Sequence, residues 1–471
     1  MPSIGTIAQP LRVAIIGSGP SGFYAAEHLL KQMQLVIELD MYDRLPTPYG
    51  LVRGGVAPDH PKIKSVTKVY EKIAAHPNFR FFGNVEIGRD LTHADLTAHY
   101  HAVIYAVGAQ SDRRMGIPGE DLAGSHAATE FVGWYNAHPD YRDLHFDLSQ
   151  ESVAVIGNGN VAMDVARILA STPEELHQTD IADYALEALR NSRVKHIYML
   201  GRRGPAQAAY TNPELKELGE LADADVVVSL EDATLDPLSE AWLADSGDNM
   251  ARKNVALLQS YAQRGVRGKA RQIHMHFLVS PVELLGTRRV EAIKLVRNVL
   301  QPASDGSLRP KATEETYTIP VGLVFRSIGY KGVALPDLPF DEKNGVIPND
   351  QGRVLAEGHP LRGVYCTGWI KRGPTGIIGT NKPDSVETVN KLIEDLPNLP
   401  ELSSENAARE TILALMASRR VAYITFSDWQ RLDQAEIANG QAVGRPRLKF
   451  SRISEMLAVI EAHKGEQVSA D

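Results

Sequence analysis

The sequence predicts an α/β protein of two Rossmann-like domains, one inserted within the other, on three observations. Two apolar stretches each run through a glycine-rich turn into a helix, at "LRVAIIGSGPSGFYAAEHLLKQ" and "ESVAVIGNGNVAMDVARILAS". The turns lie about 140 residues apart, so each has room for its own sheet. The chain, at 471 residues, is also too long for one ordinary core.

In the first turn Gly17, Gly19 and Gly22 stand at the G-x-G-x-x-G spacing. The first glycine permits the tight turn, the second lets a pyrophosphate approach the backbone, and the third lets helix and strand pack closely. The helix N-terminus then faces the phosphate charge. The next strand, "LVIELDMYD", ends at Asp43, about twenty residues on, where a carboxylate accepts hydrogen bonds from ribose hydroxyls. Glu38 and Asp40 compete for that role, and Asp43 is preferred because it ends the strand.

The second turn carries Gly157 and Gly159, with Ala162 in the third position, an allowed variant. Its next strand, "VKHIYMLGRRGP", ends in Arg202 and Arg203. Two guanidinium groups where a carboxylate would stand match a 2'-phosphate through forked, charge-assisted hydrogen bonds. Two loops imply two dinucleotides, FAD and NADP(H), and the fold expected is an NADP domain inserted within an FAD domain. "TPEELHQTDIADYALEALRNSR" intervenes as additional helix.

"YHAVIYAVGA" closes the first unit, and the boundaries expected are 1–112 for the first part of the FAD domain, 113–326 for the NADP domain and 327–471 for the remainder with a helical tail. "GLVFRSIGY" and "GVYCTGW" read as short strands returning to the first domain. In the tail, "NAARETILALMASRR" and "SRISEMLAVIEAHK" have helical periodicity, while "FSDWQRLDQAEIANGQAVGRPRLKF" between them is polar and broken.

Composition narrows the function classes. Hydrophobic residues at 43% and charged residues at 23% describe an ordinary globular protein. A net charge of -8 argues against bulk nucleic-acid binding. One cysteine, Cys366, excludes a C-x-x-C redox pair and a Cys-ligated iron–sulfur cluster. No secretory signal or run of transmembrane length stands in the sequence, which places the chain in the cytoplasm as an expectation. No metal site is expected.

Taken together, "GSGPSGFYAAEHLL", "LPTPYGLVRGGVAPDHPKIK", "FFGNVEIGRDL", "GNGNVAMDVARIL", "GRRGP" and "GWIKRGPTGIIGTNK" resemble the adrenodoxin reductase-like, glutathione reductase-type ferredoxin–NADP reductases, in the family's order across nearly the whole chain. The resemblance implies that Ser21, Asp43, Leu51 and Ile87 line the FAD, with Trp369 and the backbone of Gly376, Ile377 and Ile378 near the flavin. It implies that Asn158, Gly159, Asn160 and Val161 hold the NADP pyrophosphate and that Arg202 and Arg203 hold the 2'-phosphate. Glu214 matches an NADP-site carboxylate and His60 the family histidine near the flavin, the two candidates for a catalytic role. Trp369 stands where related flavoproteins carry the Asp of a Gly-Asp pair.

The function implied is hydride transfer from NADPH to FAD and one-electron transfer onward to a ferredoxin. Ferredoxins are acidic, so a basic docking face is expected, with Arg252, Lys253, Arg264, Arg267, Lys269 and Arg271 as its candidates. Three other readings stand beside it: a glutamate synthase-like electron-input subunit, whose cysteine-rich region is absent here; a flavin monooxygenase; and an NADP-sensing binding module.

Overall fold

The structure, a computed structural model, describes residues 4–468. The chain divides into two compact units: one of 1–56, 60–111 and 329–471, the other of 57–59 and 112–328. Ala57–Asp59 thus joins the second unit from within the sequence of the first.

The first unit is built on a seven-stranded sheet in the order Asn349–Asp350, Arg353–Ala356, His359–Cys366, Ala102–Tyr105, Leu11–Ile16, Ile37–Tyr42, Phe79–Phe82. The last five are parallel, with Val13 opposite Leu39 on one side and Ala102 on the other. All six residues of Leu11–Ile16 are buried, as a central parallel strand covered on both faces requires. Helix Pro20–Leu30 crosses from this strand to the next, and Asn381–Glu394 packs against it.

The tail belongs to this unit's core. Buried Arg12 donates to the carbonyls of Asn406 and Ala408. Buried Asp40 accepts from Arg80, Arg409 and Tyr100. The polar stretch forms a sixteen-residue helix, Phe426–Gln441, which is opened by a Thr425–Asp428 capping box and ends before the Gly444-Arg445-Pro446 break. Its inward positions include Asp428 and Glu436, which disguise the apolar period. Glu436 is fully buried and takes two hydrogen bonds from Arg53 and one from Arg447.

The second unit has a six-stranded parallel sheet in the order Ser125–Ala127, Leu323–Arg326, Ser152–Ile156, His196–Leu200, Arg271–His276, Ala224–Val227. Leu323–Arg326 lies inside this sheet, paired with Ser125–Ala127 and Ser152–Ile156, and so is not the returning strand expected. An apolar four-residue strand carries no mark of which sheet it joins. The segment expected to be extra helix forms two, Pro173–His177 and Asp183–Arg190. A three-stranded antiparallel sheet, Val279–Leu285, Ala292–Pro302 and Leu308–Pro320, completes the unit.

Candidate functional site

The glycine turn of the first unit is sterically determined. Gly17 has φ +104°, and a Cβ there would stand 2.5 Å from the Ala106 carbonyl oxygen. At Gly22 a Cβ would meet the Gly17 carbonyl oxygen at 2.2 Å, so helix and turn are in contact. Around Gly19 nothing lies within 4 Å of the same position, which leaves a backbone-lined space at the helix start. Gly19 caps helix Pro20–Leu30 without a side-chain bond, so the first-turn amides remain for an anion.

Asp43 follows the second strand directly and faces this turn. Its Oδ2 accepts from the Ser18 N–H at 3.0 Å and from Ser18 Oγ at 2.5 Å, and its Oδ1 accepts from the Leu45 N–H at 3.0 Å. Of its competitors, Asp40 is buried among Arg80, Arg409 and Tyr100, and Glu38 faces Arg12 at 3.9 Å. Ser21 is buried and ties the turn to the C-terminal segment: its Oγ donates to Asn381 Oδ1 at 3.1 Å and its carbonyl accepts from Ser385 Oγ.

The remaining first-unit candidates are scattered in sequence. Leu51 opens helix Leu51–Gly54 and is 41% exposed; Ile377 is 60% exposed; Ile87 and Ile378 are partly buried. Trp369 donates its Nε1–H to the Thr375 carbonyl at 3.2 Å, and its ring stacks on Tyr330 at 5.6 Å between centroids. Gly376 has φ +80°, and a Cβ there would strike Thr380 Oγ1 at 2.3 Å. His60 precedes the short helix Pro61–Lys64 as its N-cap.

Two first-unit residues had no sequence signal of their own. Tyr330 forms one face of the Trp369 stack. Tyr49, buried at φ +85°, packs its ring against Phe23, Tyr70 and Trp429. A non-glycine residue held at positive φ costs energy that its packing must offset.

The second unit repeats the turn. Gly157 has φ +129° with a Cβ position 2.1 Å from the Ser327 carbonyl oxygen, and Gly159 is again open, capping helix Asn160–Ala170 without a side-chain bond. Asn158 Nδ2 is a buried donor with no hydrogen-bond partner, which suits a phosphate oxygen at this turn. Asn160 Oδ1 accepts from the Thr211 N–H at 2.9 Å, fixing the start of helix Asn212–Glu220. Val161 packs against the unit's core. Glu214, in the first turn of that helix, is buried and accepts from Arg167 at 2.9 Å.

Arg202 and Arg203 are exposed, and their backbone is pinned. Asn298 Nδ2 donates to the Arg202 carbonyl at 3.0 Å, and the Leu278 N–H to the Arg203 carbonyl at 3.1 Å. Asn298 comes from the antiparallel sheet, and nothing in the sequence marks it.

The basic candidates divide. Arg252, Lys253 and Arg267 are exposed, but Arg252 donates to the carbonyls of Leu243 and Ala244. Lys269 donates to the Leu221 carbonyl, Arg264 lies over the Tyr261 ring, and Arg271 is half-buried. Their side chains are only partly available.

Residues 11–200 match the family described as pyridine nucleotide-disulphide oxidoreductase. The chain is 48% identical over 459 residues to the NADPH-ferredoxin reductase FprA of Mycobacterium tuberculosis, covering 96% of this chain and 99% of that one. It belongs to the NADPH–ferredoxin reductase family. The family likeness extends to the mitochondrial NADPH:adrenodoxin oxidoreductase of Salvelinus fontinalis, 40% identical over 98% of this chain and 93% of that one. Among solved structures, Mycobacterium tuberculosis FprA in complex with NADPH superposes with a TM-score of 0.91 at 47% identity, covering 96% of this chain and all of that one. Within this family the disulphide chemistry of the wider group's name has no dithiol here: the single cysteine, Cys366, is buried, and burial raises its pKa. No described helix is long and apolar enough to cross a membrane.

Proposed function

We propose that this chain is an FAD-containing reductase that moves electrons between NADPH and a ferredoxin-type iron–sulfur protein. The observation that carries this is the pairing of two open glycine turns with opposite charge at the following strand end, Asp43 in one unit and Arg202 with Arg203 in the other. Bound FAD supplies the exchange between two-electron hydride chemistry and one-electron transfer.

The chain's own residues bind and orient. The turn at Gly17, Gly19 and Gly22 takes the FAD pyrophosphate, and Asp43 turns from Ser18 to the ribose. Leu51, Ile87, Trp369 and the Gly376–Ile378 backbone wall the flavin. Asn158, Gly159, Asn160 and Val161 take the NADP pyrophosphate, and the Arg202 and Arg203 guanidinium groups take the 2'-phosphate. His60, at its imidazole, and Glu214, at its carboxylate, are proton-holding or charge-balancing groups for the transfer.

The partner is an acidic ferredoxin, steered by the basic surface that includes Arg252, Lys253 and Arg267, with the half-engaged Arg264, Lys269 and Arg271 adding to its field. The compartment this reading implies is the cytoplasm. The test is NADPH-driven cytochrome c reduction by the flavin-loaded protein with and without added ferredoxin, and with NADH as control. Ferredoxin-dependent rates that favour NADPH and fall with salt support the reading; flavin reduction to which ferredoxin adds nothing moves the acceptor elsewhere. Lys253→Glu with Arg267→Glu should slow the ferredoxin-dependent rate by roughly several-fold and flatten its salt dependence, with NADPH–ferricyanide turnover unchanged.

A further inference from the structure

The second unit contains a buried cation that the functional reading leaves unused. Arg167, in helix Asn160–Ala170, is 2% exposed. Its Nε and Nη2 donate to Asp59 Oδ2 and Oδ1 at 2.6 and 3.0 Å. Its Nη2 also donates to Asp164 Oδ1 at 2.6 Å, and its Nη1 to Glu214 Oε2 at 2.9 Å. Glu217 Oε2 stands 3.8 Å from Nη1. Burial disfavours the charge on Arg167, but Asp164, Asp59 and Glu214 outweigh it and raise its pKa, so it remains a cation throughout the working range.

This exceeds what a structural ion pair needs. One guanidinium spreads its donors over three separate segments: the Ala57–Asp59 strip, its own helix and the first turn of Asn212–Glu220. Four carboxylates around one cation repel one another as soon as that cation is lost. Lysine, with a single charged nitrogen, cannot reproduce the fork.

We propose that Arg167 is the positioning residue for Glu214, fixing the orientation and ionisation of that carboxylate for reduction of the flavin by NADPH. The proposal rests on the role assigned to Glu214. The same cation holds Asp59, the residue immediately before His60 in the chain.

The test is stopped-flow flavin reduction by NADPH in the flavin-loaded full-length protein, from about pH 5 to about pH 9, for Arg167→Met, Arg167→Lys, Glu214→Gln and the Arg167→Met/Glu214→Gln double variant. Arg167→Met should lower the limiting rate by about tenfold or more with a smaller change in NADPH affinity. It should also add or shift an ionisation on the acid-to-neutral arm, as one of the titratable groups Asp59, His60, Asp164, Glu214 or Glu217 takes up a proton. Arg167→Lys should recover part of the rate, and the double variant should be no slower than Glu214→Gln alone.

A slow Glu214→Gln beside an Arg167→Met with the parent rate and pH profile overturns the proposal and leaves Glu214 in its role. An unaltered Glu214→Gln removes the reading of Glu214 and this proposal with it. A loss in Arg167→Met that is the same at every pH and adds to that of Glu214→Gln makes Arg167 merely structural. If Arg167→Met does not fold, Arg167→Lys decides the matter: its defect must vanish in the Glu214→Gln background.

Discussion

The two glycine turns are the same device used twice, and they differ where the next strand ends. Both hold the first glycine at positive φ against a neighbouring carbonyl, and both leave the second glycine open before an uncapped helix N-terminus. Beyond the second strand of the first unit stands Asp43, folded onto Ser18 and Leu45; beyond that of the second stand Arg202 and Arg203, exposed on a pinned backbone. On the proposed reading the turn would receive a pyrophosphate whatever the nucleotide, and the strand end would select the ribose: a carboxylate for hydroxyls, guanidinium groups for a phosphate.

The largest expected effect separates the turns themselves. Gly17→Val places a side chain into the Ala106 carbonyl and should yield colourless protein without flavin. Gly157→Val meets the Ser327 carbonyl and should yield yellow protein that NADPH no longer reduces. Flavin absorbance and anaerobic NADPH titration read both. If each variant lost both nucleotides, the turns would not be independent and the comparison would break.

A smaller effect tests the strand ends. Removing both arginines, Arg202→Ala with Arg203→Ala, should weaken NADPH by about a hundredfold or more, since two hydrogen bonds between charged groups, each worth about 1.5–3 kcal/mol, sum to at least about 3 kcal/mol. NADH should change little, so the ratio of the two kcat/KM values isolates the 2'-phosphate. Equal losses for both nucleotides would sharpen the comparison differently, by moving the arginines from the ribose to the pyrophosphate.

The smallest effect appears in acid. His101 in the first unit and His274 in the second are held neutral by burial, each with its pKa lowered to about 4. The unfolded chain takes up these protons below about pH 6.5, so the stabilisation is complete above that value and is lost progressively toward pH 4. The second unit also holds Asp112, whose carboxyl is pushed up to about 7 by burial and by Glu130. Its contribution has the opposite sign: it is present below the unfolded pKa and lost as pH rises through 7, so it offsets His274 as acid is added. The first unit should open first between about pH 6.5 and about pH 4.5, with hydrogen exchange resolved by unit as the measurement. His101→Gln should remove the difference.

What could be read in the sequence was local. The turns were legible because glycine spacing, a buried apolar strand and a following helix are constraints within some twenty consecutive residues. Asp43 and the arginine pair followed by counting along the next strand. The helix Phe426–Gln441 was hidden because Asp428 and Glu436 occupy inward positions, acceptable only with Arg53 and Arg447 beside Glu436. The Tyr330–Trp369 stack, the Asn298 bond to the Arg202 backbone and the Arg167 cluster gave no signal, each joining residues from separate segments of the chain.

By itself, then, the sequence determined the fold class, the two nucleotide turns and the charge at each strand end, because backbone sterics and strand–helix periodicity act between near neighbours. Only the tertiary structure decided which sheet Leu323–Arg326 joins, that Ala57–Asp59 goes with the second unit, and that one buried guanidinium gathers Asp59, Asp164 and Glu214. A buried charge needs partners, and which carboxylates reach it depends on how the segments pack, not on their distance along the chain.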